Sequence, residues 1–126
     1  MRNLIIPEER HTPKVVLNPE SNTFEISGKS FPEDSRQFYK QVLDWLDEFM
    51  LTKPKSVNFK FNLFYLSSSS IISIKQILLK LKDVGNGGAD VQVLWHFDSD
   101  DDDIRKTGED YLKLTQMNFQ FIANEE

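Results

Sequence analysis

The chain has 126 residues, ten of them phenylalanine, no cysteine and a formal net charge of −5. That length suits a single domain over residues 1–126, able to bury roughly two-thirds of the surface its unfolded chain exposes. Disulfides, thiolate metal sites and thiol catalysis are excluded, and the acidic balance opposes tight binding to a nucleic-acid backbone.

Turn signals at Pro7, Pro13, Asn18-Pro19, Gly28, Pro32, Pro54 and Asn86-Gly87-Gly88 divide the chain. Met1 to Pro7 holds a short apolar stretch but no signal-peptide core, and no run approaches a membrane span, so a cytoplasmic protein is expected. Lys14 to Leu17 and Thr23 to Ser27 form two short strands joined by a polar turn, the pattern of a hairpin. Ser30-Phe31-Pro32-Glu33-Asp34 carries a helix-start signal with acids in the first turn, and Phe38, Val42, Trp45 and Phe49 then recur at helical spacing. Val57, Phe59, Phe61, Leu63 and Tyr65 alternate with polar residues as in a half-buried strand. A second helix is predicted by Ile71, Ile74, Leu78 and Leu81, closed by the glycines at 85, 87 and 88. Val91, Val93, Trp95 and Phe97 give a further strand in which Leu94 breaks the pattern, Ile104 to Leu114 a weaker helix, and Met117 to Phe121 a last short strand.

The alternation after Pro54 implies right-handed crossovers and parallel neighbours. Parallel strands covered on both faces are apolar throughout, whereas these alternate. The expectation is an α/β fold of two layers: a mixed sheet of about five strands, helices mainly on one face, and a second, fairly polar face.

Ser67-Ser68-Ser69-Ser70 lies where a strand ends and a helix begins. Serine is a preferred N-cap, because its oxygen accepts a bond from an orphan backbone N–H, and one capping serine among solvated neighbours is the plain interpretation. The sharper one is a phosphorylation site, since free N–H groups and the helix dipole favour an anion there. Asp98, Asp100, Asp101, Asp102 and Asp103 follow the next strand of the same series, so both runs should face one edge of the sheet. The aspartates fit a solvated helix start, a recognition surface for a basic partner, or a divalent-cation site holding Mg²⁺ beside a phosphoryl group. An EF-hand is rejected. Asp98, Asp100, Asp102 and Glu109 match positions 1, 3, 5 and 12 of that loop, but the glycine required at position 6 is Asp103. Neither His11 nor His96 has metal-ligand spacing, and there is no P-loop, dinucleotide fingerprint or nucleophile elbow.

Thr12-Pro13-Lys14-Val15, Ile26 to Glu33, Trp45-Leu46, Tyr65 to Ser70, Trp95 to Asp98 with the aspartate run, and Gly108 to Tyr111 together resemble the SiaC family of bacterial regulatory phosphoproteins, over nearly the whole chain. The resemblance implies a fold similar to STAS-type anti-sigma-factor antagonists and no enzymatic activity. It implies a partner-switching cycle in biofilm and cyclic di-GMP regulation. A Ser/Thr kinase modifies the protein, a PP2C-type phosphatase reverses this, and the unmodified form binds a diguanylate cyclase. The family's modified threonine, in Asn-Thr-Ser-Ser, falls at Ser68, with Ser67 in place of the asparagine. An anti-sigma-factor antagonist, or a metal-binding protein or enzyme using Asp100 to Asp103, are the alternatives.

Overall fold

The computed structural model describes residues 1–125. Its elements in chain order are β1 (Leu4–Ile6), β2 (Lys14–Asn18), β3 (Thr23–Ser30), α1 (Ser35–Leu51), β4 (Ser56–Leu66), α2 (Ser68–Asn86), β5 (Asp90–Asp98), α3 (Asp102–Thr115) and β6 (Asn118–Asn124). The strands form one mixed sheet of six in the order β1-β2-β3-β4-β5-β6. The expected hairpin is β2–β3, antiparallel with Val15 opposite Ile26, and β3 through β6 run parallel. The strand missing from the sequence reading is β1, which pairs with β2 through Leu4 opposite Leu17 and Ile6 opposite Val15. Its three residues are too few to show alternation before Pro7 stops them.

Two layers are observed. Val57, Phe59, Phe61 and Leu63 of β4, with Val93 and Trp95 of β5, point to the helices and are almost wholly buried. Burying each such side chain stabilises the fold by about 1.5–3 kcal/mol. Tyr39, Val42, Trp45 and Phe49 of α1 and Ile74, Ile77, Leu78 and Leu81 of α2 meet them. The intervening strand residues form the open face: Lys60 and Asn62 of β4, with Gln92, Leu94 and His96 of β5, are half-buried there. Leu94 interrupts the alternation because it belongs to that face.

Two boundaries depart from the sequence reading. Ser30 ends β3 instead of opening the helix, and α1 starts at Ser35 with Asp34 as its N-cap. No acid occupies its first turn. Pro32 and the Asp34 carboxylate, which accepts from the Gln37 amide at 3.1 Å, set that later start. The second departure is Tyr65. The β3–β4 register shifts between Gly28 and Lys29, so that Gly28 faces Leu63 while Lys29 faces Tyr65. The extra residue, Phe64, is a bulge in β4 that ends the alternation. Tyr65 therefore leaves the buried series and is 51% exposed, with Phe64 at 43%.

Candidate functional site

Because β4 and β5 are parallel neighbours, with Asn62 opposite His96, their C-terminal ends open onto the same edge of the sheet. The serine run leaves β4 there and the aspartate run leaves β5, as the spacing of the elements implies.

The serines have different fates. Ser67 is the N-cap of α2: its hydroxyl accepts from the Ser70 amide at 3.2 Å, and its carbonyl accepts from the Ile71 amide at 2.9 Å. Ser70 is completely buried. Its hydroxyl donates to the Ser30 carbonyl at 3.0 Å and receives the Ser67 hydroxyl at 2.8 Å. It also lies 2.7 Å from the Ser30 hydroxyl, which in turn lies 2.6 Å from the Tyr39 hydroxyl. A hydroxyl has one proton to give. With the Ser70 proton on the Ser30 carbonyl, Ser30 must donate to Ser70, and Tyr39 must then donate to Ser30. Every proton of the chain Tyr39–Ser30–Ser70–Ser67 is thereby assigned, and Ser70 has no lone pair left. Burial pushes the Tyr39 hydroxyl up to about 12, opposed in part by its bond with Ser30. It stays a donor at neutral pH.

Ser68 and Ser69 are exposed. Ser69 lies 3.3 Å from the Ser67 hydroxyl. The Ser68 hydroxyl is the member of the run held by no side-chain hydrogen bond among the described residues. Its position is the first of a 19-residue helix with no acid in the first turn. The amides of Ser68 and Ser69 precede the first capped donor, so a negative charge on Ser68 meets orphan N–H groups and the positive end of the dipole. Around this start, Phe64, Tyr65, Ile71 and Ile72 are all more than a third exposed. Tyr65 meets Phe31 edge-on at 5.7 Å, and Phe31 meets His11 at 4.8 Å.

The aspartate run is mostly a helix start. The Asp101 carboxylate caps α3, accepting from the Ile104 amide at 3.0 Å. Asp102 and Asp103 stand in the first turn, where the dipole favours acids, and Asp100 is exposed in the loop before them. Arg105 pairs with Glu109 at 3.1 Å and reaches Asp102 at 3.5 Å. Among the described residues no three or more of His, Cys, Asp and Glu are grouped to share a metal ion. Asp98 receives Asn124 at 3.4 Å, and His96 lies 3.1 Å from the same Asn124. The sequence said nothing of α3's link to the serine site. The Tyr111 hydroxyl donates to the Ile71 carbonyl at 2.6 Å, in the first turn of α2. Burial, with a smaller repulsion from Tyr39, holds Tyr111 well above the usual tyrosine range. Ser30 and Tyr111 stand within segments that carry the family resemblance, but nothing in the sequence shows that Ser30, Tyr39 and Tyr111 bond to α2, because a core tyrosine and a strand-end serine look ordinary until the fold joins them.

A mixed six-stranded sheet with helices on one face, and an exposed serine at a helix start on its edge, define the class: a small α/β protein presenting a free hydroxyl beside exposed apolar side chains. The description "SiaC family regulatory phosphoprotein" matches residues 6–124, so the chain belongs to the SiaC family. It is 28% identical over 126 residues, the whole of both chains, to an uncharacterized protein of Pseudomonas aeruginosa. The solved structure of SiaC of Pseudomonas aeruginosa is similar with a TM-score of 0.89 at 27% identity, covering 98% of this chain and 100% of that one. A crystal structure of the diguanylate cyclase SiaD in complex with its activator SiaC, from the same organism, is similar through the SiaC-like chain. Its TM-score is also 0.89, at 27% identity, covering 96% of this chain and 99% of that one. The family and fold expectations are borne out, with six strands in place of about five.

Proposed function

We propose that this protein is a cytoplasmic, non-enzymatic adaptor switched by phosphorylation of Ser68, whose unmodified form binds and promotes a diguanylate cyclase. A Ser/Thr kinase adds the phosphate and a PP2C-type phosphatase removes it. The carrying observation is the contrast within the serine run: Ser70 is buried with its hydroxyl saturated, Ser67 caps the helix, and Ser68 is exposed with its hydroxyl unengaged. The activator role of SiaC toward a diguanylate cyclase in the similar complex supports the output. No described helix is long and apolar enough to cross a membrane.

The effect of the phosphate follows from its surroundings. It brings nearly two negative charges to a start flanked by exposed Phe64, Tyr65 and Ile72. A partner that covers those apolar groups must then desolvate a dianion. A difference of about 3 kcal/mol between the two forms changes binding more than a hundredfold. Asp100, Asp101, Asp102 and Asp103 border the same edge and guide basic partners.

Site-resolved phosphopeptide mass spectrometry on protein from its native cells, beside a Ser68→Ala variant, tests the site. Phosphate on Ser68, absent from the variant, is expected, together with cyclase capture by the unmodified form alone. Full coverage of residues 67 to 70 with phosphate only on Ser69, or on none, overturns the assignment.

A further inference from the structure

The two edges of the sheet are built differently. At one side β1 has three residues and is stopped by Pro7, which leaves little backbone to pair with. At the other, β6 runs for seven residues, Asn-Phe-Gln-Phe-Ile-Ala-Asn, with no charge, no proline and no register shift against β5. Its outer backbone groups have no strand partner among the described residues. Natural edges are ordinarily blunted by lysine, proline, a bulge or brevity, and β6 uses none of these. Phe119 and Phe121 stack 5.8 Å apart and are only half-buried against the core, and Leu114 at the end of α3 is 53% exposed.

We propose that the outer edge of β6 pairs with β6 of a second copy of this chain, antiparallel about a two-fold axis. Three properties favour a second copy. An antiparallel edge is self-complementary in hydrogen bonding, since a residue of one strand exchanges N–H and C=O with its symmetry mate. A chain of net charge −5 resists self-association, yet β6 brings no like charges together. A two-fold through Phe121 sets Asn118 opposite Asn124, Phe119 opposite Ala123, and Gln120 opposite Ile122, so aromatic groups continue the helix-side core while amides and Ile122 line the open face. A seven-residue pairing lies at or below the ~1,200–2,000 Å² of stable interfaces, so a weak, concentration-dependent dimer is expected. The edge is separate from Ser68, so this inference does not depend on the switch.

Sedimentation velocity on the full chain, from low to high micromolar concentration, should show a monomer–dimer equilibrium. Gln120→Lys with Ile122→Lys sets lysine against lysine on the open face and should weaken association at least about tenfold, with circular dichroism confirming the fold. A chain with Gln120→Glu and Ile122→Glu should likewise be monomeric alone. Mixing the two charged chains should restore a dimer, because the register places lysine opposite glutamate. A wild-type protein that stays monomeric throughout, a dimer indifferent to the lysines, or charged chains that fail to pair would each overturn the proposal.

Discussion

Ser70 looks, in the sequence, as available for modification as its neighbours, yet its hydroxyl is committed on every side. Ser70→Ala takes the acceptor from the buried Ser30 hydroxyl and one of two donors from the Ser30 carbonyl, which keeps the Ser67 amide, so a loss of about 1–3 kcal/mol is expected in urea unfolding. Ser68→Ala touches no such bond and should stay within about 0.5 kcal/mol of the parent. Tyr39 gives a second prediction, in pH. Its hydroxyl is raised to about 12 when folded, against about 10 in the unfolded chain. Between those values the unfolded state loses the proton first and binds fewer protons than the folded one, so stability falls as pH rises. Stability is intact below about pH 10 and declines toward pH 12, by about 2–3 kcal/mol from this group. Tyr39→Phe should flatten that decline in a melting-temperature series.

At the scale of elements, helix starts dominate the candidate site. Asp101→Ala removes the cap of α3 and should cost about 1 kcal/mol, whereas Asp101→Asn preserves it and Asp100→Ala changes little. Thermal unfolding of the three variants separates capping from bulk charge. The middle of α3 is held otherwise: the Trp95 indole donates to the Ile104 carbonyl at 2.9 Å and crosses the helix where Gly108 leaves room. A β-carbon at 108 collides with the indole ring, so Gly108→Ala should destabilise by about 1–3 kcal/mol and alter tryptophan fluorescence. The period-two and helical patterns made most of these elements legible, because a half-buried sheet imposes alternation and amphipathic helices impose their own period. The exceptions are local. Three residues of β1 cannot show a period, and the Phe64 bulge moved Tyr65 off the buried face although the apolar series seemed to continue. The aspartates were legible as a helix start, but the tie from Tyr111 to Ile71 joins residues 40 apart and leaves no trace in the sequence.

For the whole molecule, the parallel order β3-β4-β5-β6 gathers the serine run and the aspartate run on one edge, while the buried hydroxyl chain and Tyr111 anchor α2's first turn from two sides. Of the apolar side chains exposed there, Ile72 is the least covered and Phe64 is covered more. Ile72→Ser should leave stability within about 0.5 kcal/mol of the parent, and Phe64→Ser should cost about 1–2 kcal/mol while the fold persists. Each should weaken capture of the unmodified protein by the cyclase at least about tenfold, read by calorimetry. Unchanged capture in both would move the partner surface elsewhere.

The strand order also bears on how the chain is made. Each strand hydrogen-bonds to the one synthesised just before it, from β1 to β6. A ribosome releases the chain from its N-terminus, at about 5–20 residues per second in the general case. Every newly emerged strand therefore finds its template already outside the tunnel, and the sheet can grow by accretion without any early segment waiting, unpaired, for a distant later one.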